Sequence, residues 1–454
     1  MKTLTNINKL ERDMNLKLRS YQEIGKDALY KSNTFLLADD MGLGKTIQAI
    51  SALKERVLQQ GVLRALIVVP NSLKTNWAKE FSVWFPEVSV EILNGNKEER
   101  LFYLKNSKSV IIATYEQVRT TFAANESVPP FNIVVFDEAQ RLKNRSSSTF
   151  HAAGLIAGET YWMLSGTPLE NSEEDIVNLF SILRPDTIHK GFNHLEIREG
   201  ISPYFLRRKK DECLEELPEL VEEDIYIDMT NNQKKEYENL LNEKYEWYKS
   251  GNLLAFITEL KKICNFPDKV TDSAKLKNLN NILKNKVESK DKVIIFSQYV
   301  DTLKKIQSAL PFEFLLYDGS LSSDQKDNLV NQFQNEKDKN FLLMSLKSGG
   351  VGLNLQAAST VILFDRWWNP ASEQQAIARA HRLGNKNSVH AIKYVVSGSI
   401  EEKIIDILHN KEYIFNNVIE NKEQLTSRKN LLEQLVGLEV EDKDNIIKEG
   451  DKHD

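Results

Sequence analysis

The chain has 454 residues, of which 41% are hydrophobic and 28% charged, with a formal net charge of −5. That length leaves room for about three domain-sized units, the composition is that of a globular chain, and the small acidic balance excludes coating of nucleic acid by bulk attraction without excluding a local basic groove. No apolar run reaches the roughly 20 residues of a membrane helix, and Met1 to Asn15 lacks the apolar stretch of a secretory signal, so a cytoplasmic chain with no membrane partner is expected.

In chain order, an apolar run from Thr34 to Ala38 precedes a glycine-rich turn, Asp39-Asp40-Met41-Gly42-Leu43-Gly44-Lys45-Thr46, and then a helical pattern. Runs of strand type follow at Ala65 to Val69, Val110 to Ala113 and Ile133 to Phe136, with helical stretches between them. Short apolar, β-branched runs alternating with helices describe an α/β architecture, a parallel sheet covered on both faces, here over about Lys17 to Arg184. From Tyr226 to Lys262 the spacing predicts helix, read as an insert or linker, while Asp186 to Arg198 has little period. A second strand set, Val293 to Phe296, Phe341 to Met344, Thr360 to Phe364 and Ala391 to Val396, predicts a second α/β lobe. After Lys411 the pattern stays helical and becomes charged, and Glu439 to Asp454 has too few apolar residues to pack by itself. Cys213 and Cys264 have no paired spacing and histidines do not cluster, so the cysteines are read as packing residues and no zinc is expected.

A glycine-rich turn entering a helix can surround phosphate with backbone N–H groups, and Lys45 adds a point charge. Asp39 stands where the simple phosphate-loop pattern has glycine. The strand Ile133 to Phe136 delivers Asp137 and Glu138 to its carboxyl end, where α/β sheets bind ligands. Alone, the pair reads as solvated surface acids. Behind a phosphate loop it suits one acid for magnesium, with Thr46, and one for orienting and deprotonating water. Far downstream, Gln374 to Arg382 predicts a helix with Arg379 and Arg382 on one face, as phosphate-directed guanidinium groups.

The order of motifs resembles the Swi/Snf family of helicase superfamily two over about Leu16 to Leu408. It runs through Leu18-Arg19-Ser20-Tyr21-Gln22, the phosphate turn, Val69 to Leu73 with Asn76-Trp77, and Ala113-Thr114-Tyr115-Glu116. Asp137 to Asn144, Leu164 to Asn171, and Leu206-Arg207-Arg208-Lys209-Lys210 complete the first half. Phe296-Ser297-Gln298, Asp318-Gly319-Ser320, Ser348 to Leu355 and Asp365-Arg366-Trp367-Trp368-Asn369-Pro370 precede the arginine segment. There Ala378, Leu383 and Asn385 depart from the family's glycine, isoleucine and glutamine.

The resemblance implies two RecA-like lobes, each a mostly parallel sheet covered by helices, with a reduced helical insert between them. They are expected as an ATP-binding lobe over 1–185, an insert and linker over 186–275, a helicase lobe over 276–415 and a partly disordered tail over 416–454. It implies ATP and Mg2+ as cofactors. Arg19 and Gln22 fall to adenine recognition, Asp40, Met41, Gly42, Leu43, Gly44, Lys45, Thr46 and Gly352 to the nucleotide, and Thr46 and Asp137 to the metal. Lys45, Glu138, Arg379 and Arg382 are the implied catalytic groups. Asn76, Thr114, Ser320, Lys347, Asn354 and Trp368 are the implied DNA contacts. On a strand, Trp367 and Trp368 would face opposite ways, with Trp368 the exposed one. Arg207 to Lys210 reads equally as a duplex-facing patch or a solvated charge cluster. The expected activity is that of a monomeric, ATP-driven translocase on double-stranded DNA that displaces or remodels a DNA-bound protein complex. The alternatives are a strand-separating helicase and an ATP-binding scaffold on RNA polymerase or a defence complex. With no recognisable accessory unit at either end, a minimal motor is expected, bacterial or viral in source, or nuclear if eukaryotic.

Overall fold

The computed structural model describes residues 17–61, 64–122, 128–166, 173–189, 191–214, 218–345, 353, 355–367, 370–382, 385, 387–406 and 435–436. The chain divides into two compact units, with the main boundary after Glu216.

In the first unit the strands are β1 (Thr34–Leu37), β2 (Ala65–Val69), β3 (Val90–Ile92), β4 (Val110–Thr114), β5 (Phe131–Asp137), β6 (Gly158–Leu164) and β7 (Phe205–Leu206). They form one sheet in the order β3-β4-β2-β5-β6-β1-β7, with every pairing parallel. Successive side chains on a strand point to opposite faces, which is why unbroken apolar runs are needed here. Leu66, Val68, Ile111, Ala113, Val134 and Phe136 enter one core, while Ala65, Ile67, Val69, Val110, Ile112 and Val135 enter the other. Burial of each such Leu, Ile or Val contributes about 1.5–3 kcal/mol, and residues of both kinds, such as Leu66 and Ile67, are fully buried.

The second unit repeats the arrangement with β8 (Leu220–Ile227), β9 (Val293–Ser297), β10 (Phe314–Tyr317), β11 (Phe341–Ser345), β12 (Thr360–Leu363) and β13 (Val389–Val396), in the order β10-β11-β9-β12-β13-β8. All of these pairings are parallel too. Each unit is the α/β layer that the strand runs predict, a parallel sheet as the resemblance implies for each lobe. The stretch 186–275 is shared out: β7 joins the first sheet, and β8 lies on the edge of the second. Tyr226, read as the start of a helical stretch, lies in β8. Helix Leu253–Asn265 buries Phe256, Ile257, Leu260 and Cys264 against Val396, Ile400 and Ile404. β8 was hidden from the periodicity because an edge strand carries charge on its exposed groups. Its Glu222, Glu223 and Asp224 pair with Lys393, His390 and Arg366. Among the described residues no helix is long and apolar enough to cross a membrane, and Cys213 and Cys264 are free, the latter buried.

Candidate active site

In the first sheet β6 lies between β1 and β5. The carboxyl ends of three neighbouring strands therefore bring the phosphate turn, Ser165 and the Asp137-Glu138 pair to one edge, as the sheet topology requires of a ligand site. The turn needs its glycines: Gly42 has φ 88° and Gly44 φ 75°, values that L side chains rarely adopt. Gly44 is also the N-cap of helix Lys45–Gln60, so unpaired N–H groups and the positive end of a long helix dipole face the turn.

Lys45 donates from Nζ to the carbonyls of Asp39 at 2.6 Å and Asp40 at 3.2 Å. Burial lowers its pKa, and the charges of Glu138, Asp39, Asp137 and Asp40 oppose that fall. Lys45 thus feels both carboxylates at the end of β5. Asp137 is pinned: Trp77 Nε1 donates to its Oδ2 at 2.7 Å, the Glu138 amide to its Oδ1 at 2.9 Å, and Tyr115 OH to its carbonyl at 2.7 Å. Glu138 has φ 53°, a left-handed conformation uncommon outside glycine and a mark of functional strain. Its side chain accepts from Gln140 Nε2, whose Oε1 accepts from Ser165 Oγ at 2.7 Å. Burial raises the carboxyls of both acids, and with Asp137 beside it Glu138 rises to about 7.

Gln22, on helix Ser20–Lys31, reaches the same turn. Gln22 is buried, and its Nε2 donates to the carbonyl of Leu43 at 3.2 Å while Oε1 accepts from the Arg19 amide at 3.0 Å. Arg19 is exposed at the N-cap of helix Ser20–Lys31. Thr46 follows Lys45 in the first turn of its helix. A carboxylate and a hydroxyl are the hard oxygen donors that suit magnesium, so Asp137 and Thr46 fit that ion. Among the described residues no group of three or more His, Cys, Asp or Glu could hold a metal.

Of the DNA-contact candidates, Asn76 is half-buried on helix Lys74–Trp84. Thr114 is buried at the end of β4, where its hydroxyl caps the next helix through the Gln117 amide at 3.1 Å. Ser320 is exposed, its amide and hydroxyl turned onto Asp318 Oδ1 at 2.8 and 2.5 Å. Gly352, Lys347, Asn354 and Trp368 lie outside the described residues.

Two expectations are corrected. Arg379 and Arg382 are not an i, i+3 pair on a helix, because helix Pro370–Ile377 ends before them. The backbone bonds tighten there, from Ala378 to Gln374, then Arg379 to Ala376, then Arg382 to Ala380, and Asn385 Nδ2 takes the Ala380 carbonyl at 3.1 Å. Arg379 is buried, and Arg382 donates from Nε to the Ala378 carbonyl at 2.9 Å. Trp367 is not on a strand, since β12 stops at Leu363; its amide donates to Glu373 Oε1 at 2.7 Å. Glu373 in turn takes both prongs of Arg366 at 3.1 Å.

The motifs include Trp77, Tyr115, Gln140, Ser165 and Arg208, but the motif reading gave none of them its place as a support of the site. Arg208 is neither a duplex-facing nor a solvated cation, because it is bound to the fully buried Asp39. Asp39 itself was the signal: an acid at the head of a phosphate turn needs a partner if it is buried.

Comparison with known proteins places the chain in a family. The SNF2-related domain matches residues 10–269 and the helicase conserved C-terminal domain residues 274–384. An uncharacterized ATP-dependent helicase of Mycoplasma pneumoniae is 34% identical over 435 residues, 88% of this chain and 42% of that protein. The ISWI chromatin-remodeling complex ATPase ISW2 of Saccharomyces cerevisiae is 31% identical over 447 residues, 86% of this chain and 40% of that one. The chain thus spans about two fifths of the length of these relatives. A solved Sulfolobus solfataricus SWI2/SNF2 ATPase core in complex with dsDNA is 28% identical, covering 94% of this chain and 98% of that one with a TM-score of 0.42.

Proposed function

Because the chain belongs to the SNF2-related family, we propose that it hydrolyses ATP and uses the turnover to move along double-stranded DNA, displacing or remodelling bound protein. The observation that carries the reading is the gathering of Lys45, Asp137, Glu138 and Ser165 at the ends of three adjacent strands. The Mycoplasma pneumoniae relative named an ATP-dependent helicase and the ISW2 ATPase support it.

In this mechanism the N–H groups of Gly42, Gly44, Lys45 and Thr46 bind phosphate oxygens, and Lys45 places its charge on them. Gln22, with Arg19, recognises adenine. Asp137 and Thr46 would hold Mg2+, which when bound neutralises charge on the phosphate oxygens. Glu138, raised toward neutrality by burial and by Asp137, accepts a proton from the attacking water, because a base works best with a pKa near the working pH. Gln140 and Ser165 fix its carboxylate. Arg379 and Arg382 are assigned the charge that develops on the transferred phosphoryl group, and Gly352 a place beside the nucleotide. Asn76, Ser320, Lys347, Asn354 and Trp368 are assigned the DNA backbone and groove, while Thr114 shapes the start of its helix.

The test compares ATP turnover with duplex and with single strands, then triplex displacement with strand separation, using a non-hydrolysable analogue as control. Duplex-stimulated turnover with triplex displacement and no unwinding is expected. Strand separation would make it a helicase, and Glu138→Gln turning over at the parent rate would remove Glu138 from the mechanism.

A further inference from the structure

A carboxylate taken out of water needs a partner, and Asp39, at the head of the phosphate turn, is 0% exposed. Arg208 supplies the partner in two-pronged form, Nε to Oδ1 at 2.9 Å and Nη2 to Oδ2 at 2.5 Å. Its other donors also stay in the site: Nη1 goes to the Tyr21 carbonyl, Nη2 reaches Gln48 Oε1 at 3.0 Å, and the guanidinium lies 5.5 Å from the Tyr21 ring centre. Gln48 completes the circuit, donating from Nε2 to Asp39 Oδ2 at 3.2 Å and to the Leu43 carbonyl at 3.1 Å. One guanidinium therefore joins three parts of the site: the helix that carries Gln22, the phosphate turn, and the helix that begins at Lys45.

The backbone around Arg208 adds to the joint. β7 pairs with β1, the strand that leads into the turn. The Ala38 amide donates to the Leu206 carbonyl at 2.7 Å, the Asp40 amide to the Arg208 carbonyl at 3.0 Å, and the Lys210 amide to Asp40 Oδ2 at 3.2 Å. Lys210 Cε lies 3.0 Å from where a Cβ on Gly42 would stand. Residues 206–210 are thus laid along the phosphate turn.

We propose that Arg208 is a positioning residue for nucleotide turnover, holding the adenine-side helix, the phosphate turn and helix Lys45–Gln60 in one arrangement and making residues 205–213 respond to nucleotide bound on the turn. The proposal rests on the ATPase reading of the same site. Arginine is required because lysine offers a point charge and cannot span both oxygens of Asp39 while also serving Tyr21 and Gln48.

The experiment uses the whole chain, with Arg208→Lys and the isosteric Asp39→Asn, and ADP and ATP as probes. Arg208→Lys is expected to raise the KM for ATP by at least about tenfold, the loss of one charge-assisted hydrogen bond or more, with a smaller change in kcat. Hydrogen exchange on the unaltered chain should slow at the Asp40 and Lys210 amides when ADP is added, and the slowing across 205–213 should vanish in both variants. A variant with an unchanged KM and only a lower Tm would reduce Arg208 to structural support and overturn the proposal. So would exchange in the unaltered chain that ignores ADP, a result that requires no variant to fold. An unaltered chain that neither binds nor hydrolyses ATP would remove the proposed function together with this inference, whereas the first two outcomes remove the inference alone.

Discussion

Replacing Glu138 by Gln keeps the shape of the side chain and removes one buried charge. Burial first, and the neighbouring Asp137 second, raise this carboxyl from 4.5 to about 7. At about 1.4 kcal/mol for each pH unit, that rise corresponds to at most roughly 3.5 kcal/mol. The folded chain then holds a proton that the unfolded chain releases. The stabilisation from this proton is complete below pH 4.5 and is lost as pH rises through about 7. The unaltered protein should therefore lose stability in its first unit between pH 5 and pH 8.5 relative to Glu138→Gln, without nucleotide or magnesium. Hydrogen exchange at the β5 amides measures it, because these amides open only with the core of that unit. The protection ratio of variant to parent should grow by up to about a hundredfold across the range, roughly 2.7 kcal/mol, the remainder being lost below pH 5. A ratio that stays constant with pH would refute the buried-acid account of Glu138.

Gly44→Ala should weaken ADP binding at least about tenfold by calorimetry, since φ there is 75° and the new Cβ would stand 2.7 Å from Gln22 Nε2. Trp77→Phe removes the 2.7 Å donor that orients Asp137; the magnesium concentration for half-maximal turnover should rise at least about tenfold, and an unchanged magnesium requirement would take Trp77 out of the site. In the second unit Lys275 and Glu401 form a fully buried pair at 2.7 Å. Lys275→Met should cost about 3–5 kcal/mol in urea unfolding, and the double change Lys275→Met with Glu401→Leu should recover much of it.

The sequence reading succeeds where a residue's environment is symmetric. Strands such as Ala65–Val69 and Val293–Ser297 are buried throughout, so their apolar runs are visible without knowing the partners. β6 opens with Gly158-Glu159-Thr160 and β8 carries Glu222, Glu223 and Asp224, and neither looks like a buried strand along the chain. Their places come from pairing, which is not a local property. The phosphate turn and the Asp137-Glu138 pair were legible because both depend on residue type at fixed spacing. The tilt of the chain at Arg379 was not, because it depends on Asn385 reaching back to the Ala380 carbonyl. Nor can a run of four cations, Arg207 to Lys210, show which one turns inward.

The pairing of β8 with β13 bears on how the protein is made. Leu220 lies beside Val389, and Ile227 beside Val396. An emerging chain must therefore hold a finished strand open while nearly all of the second unit is synthesised, whereas the first unit can close once β7 has joined β1. Pairing so distant in sequence is slow. A ribosome stalled short of Val396 would release a folded first unit trailing an unclosed sheet, so proteases should cut such nascent products downstream of Glu216.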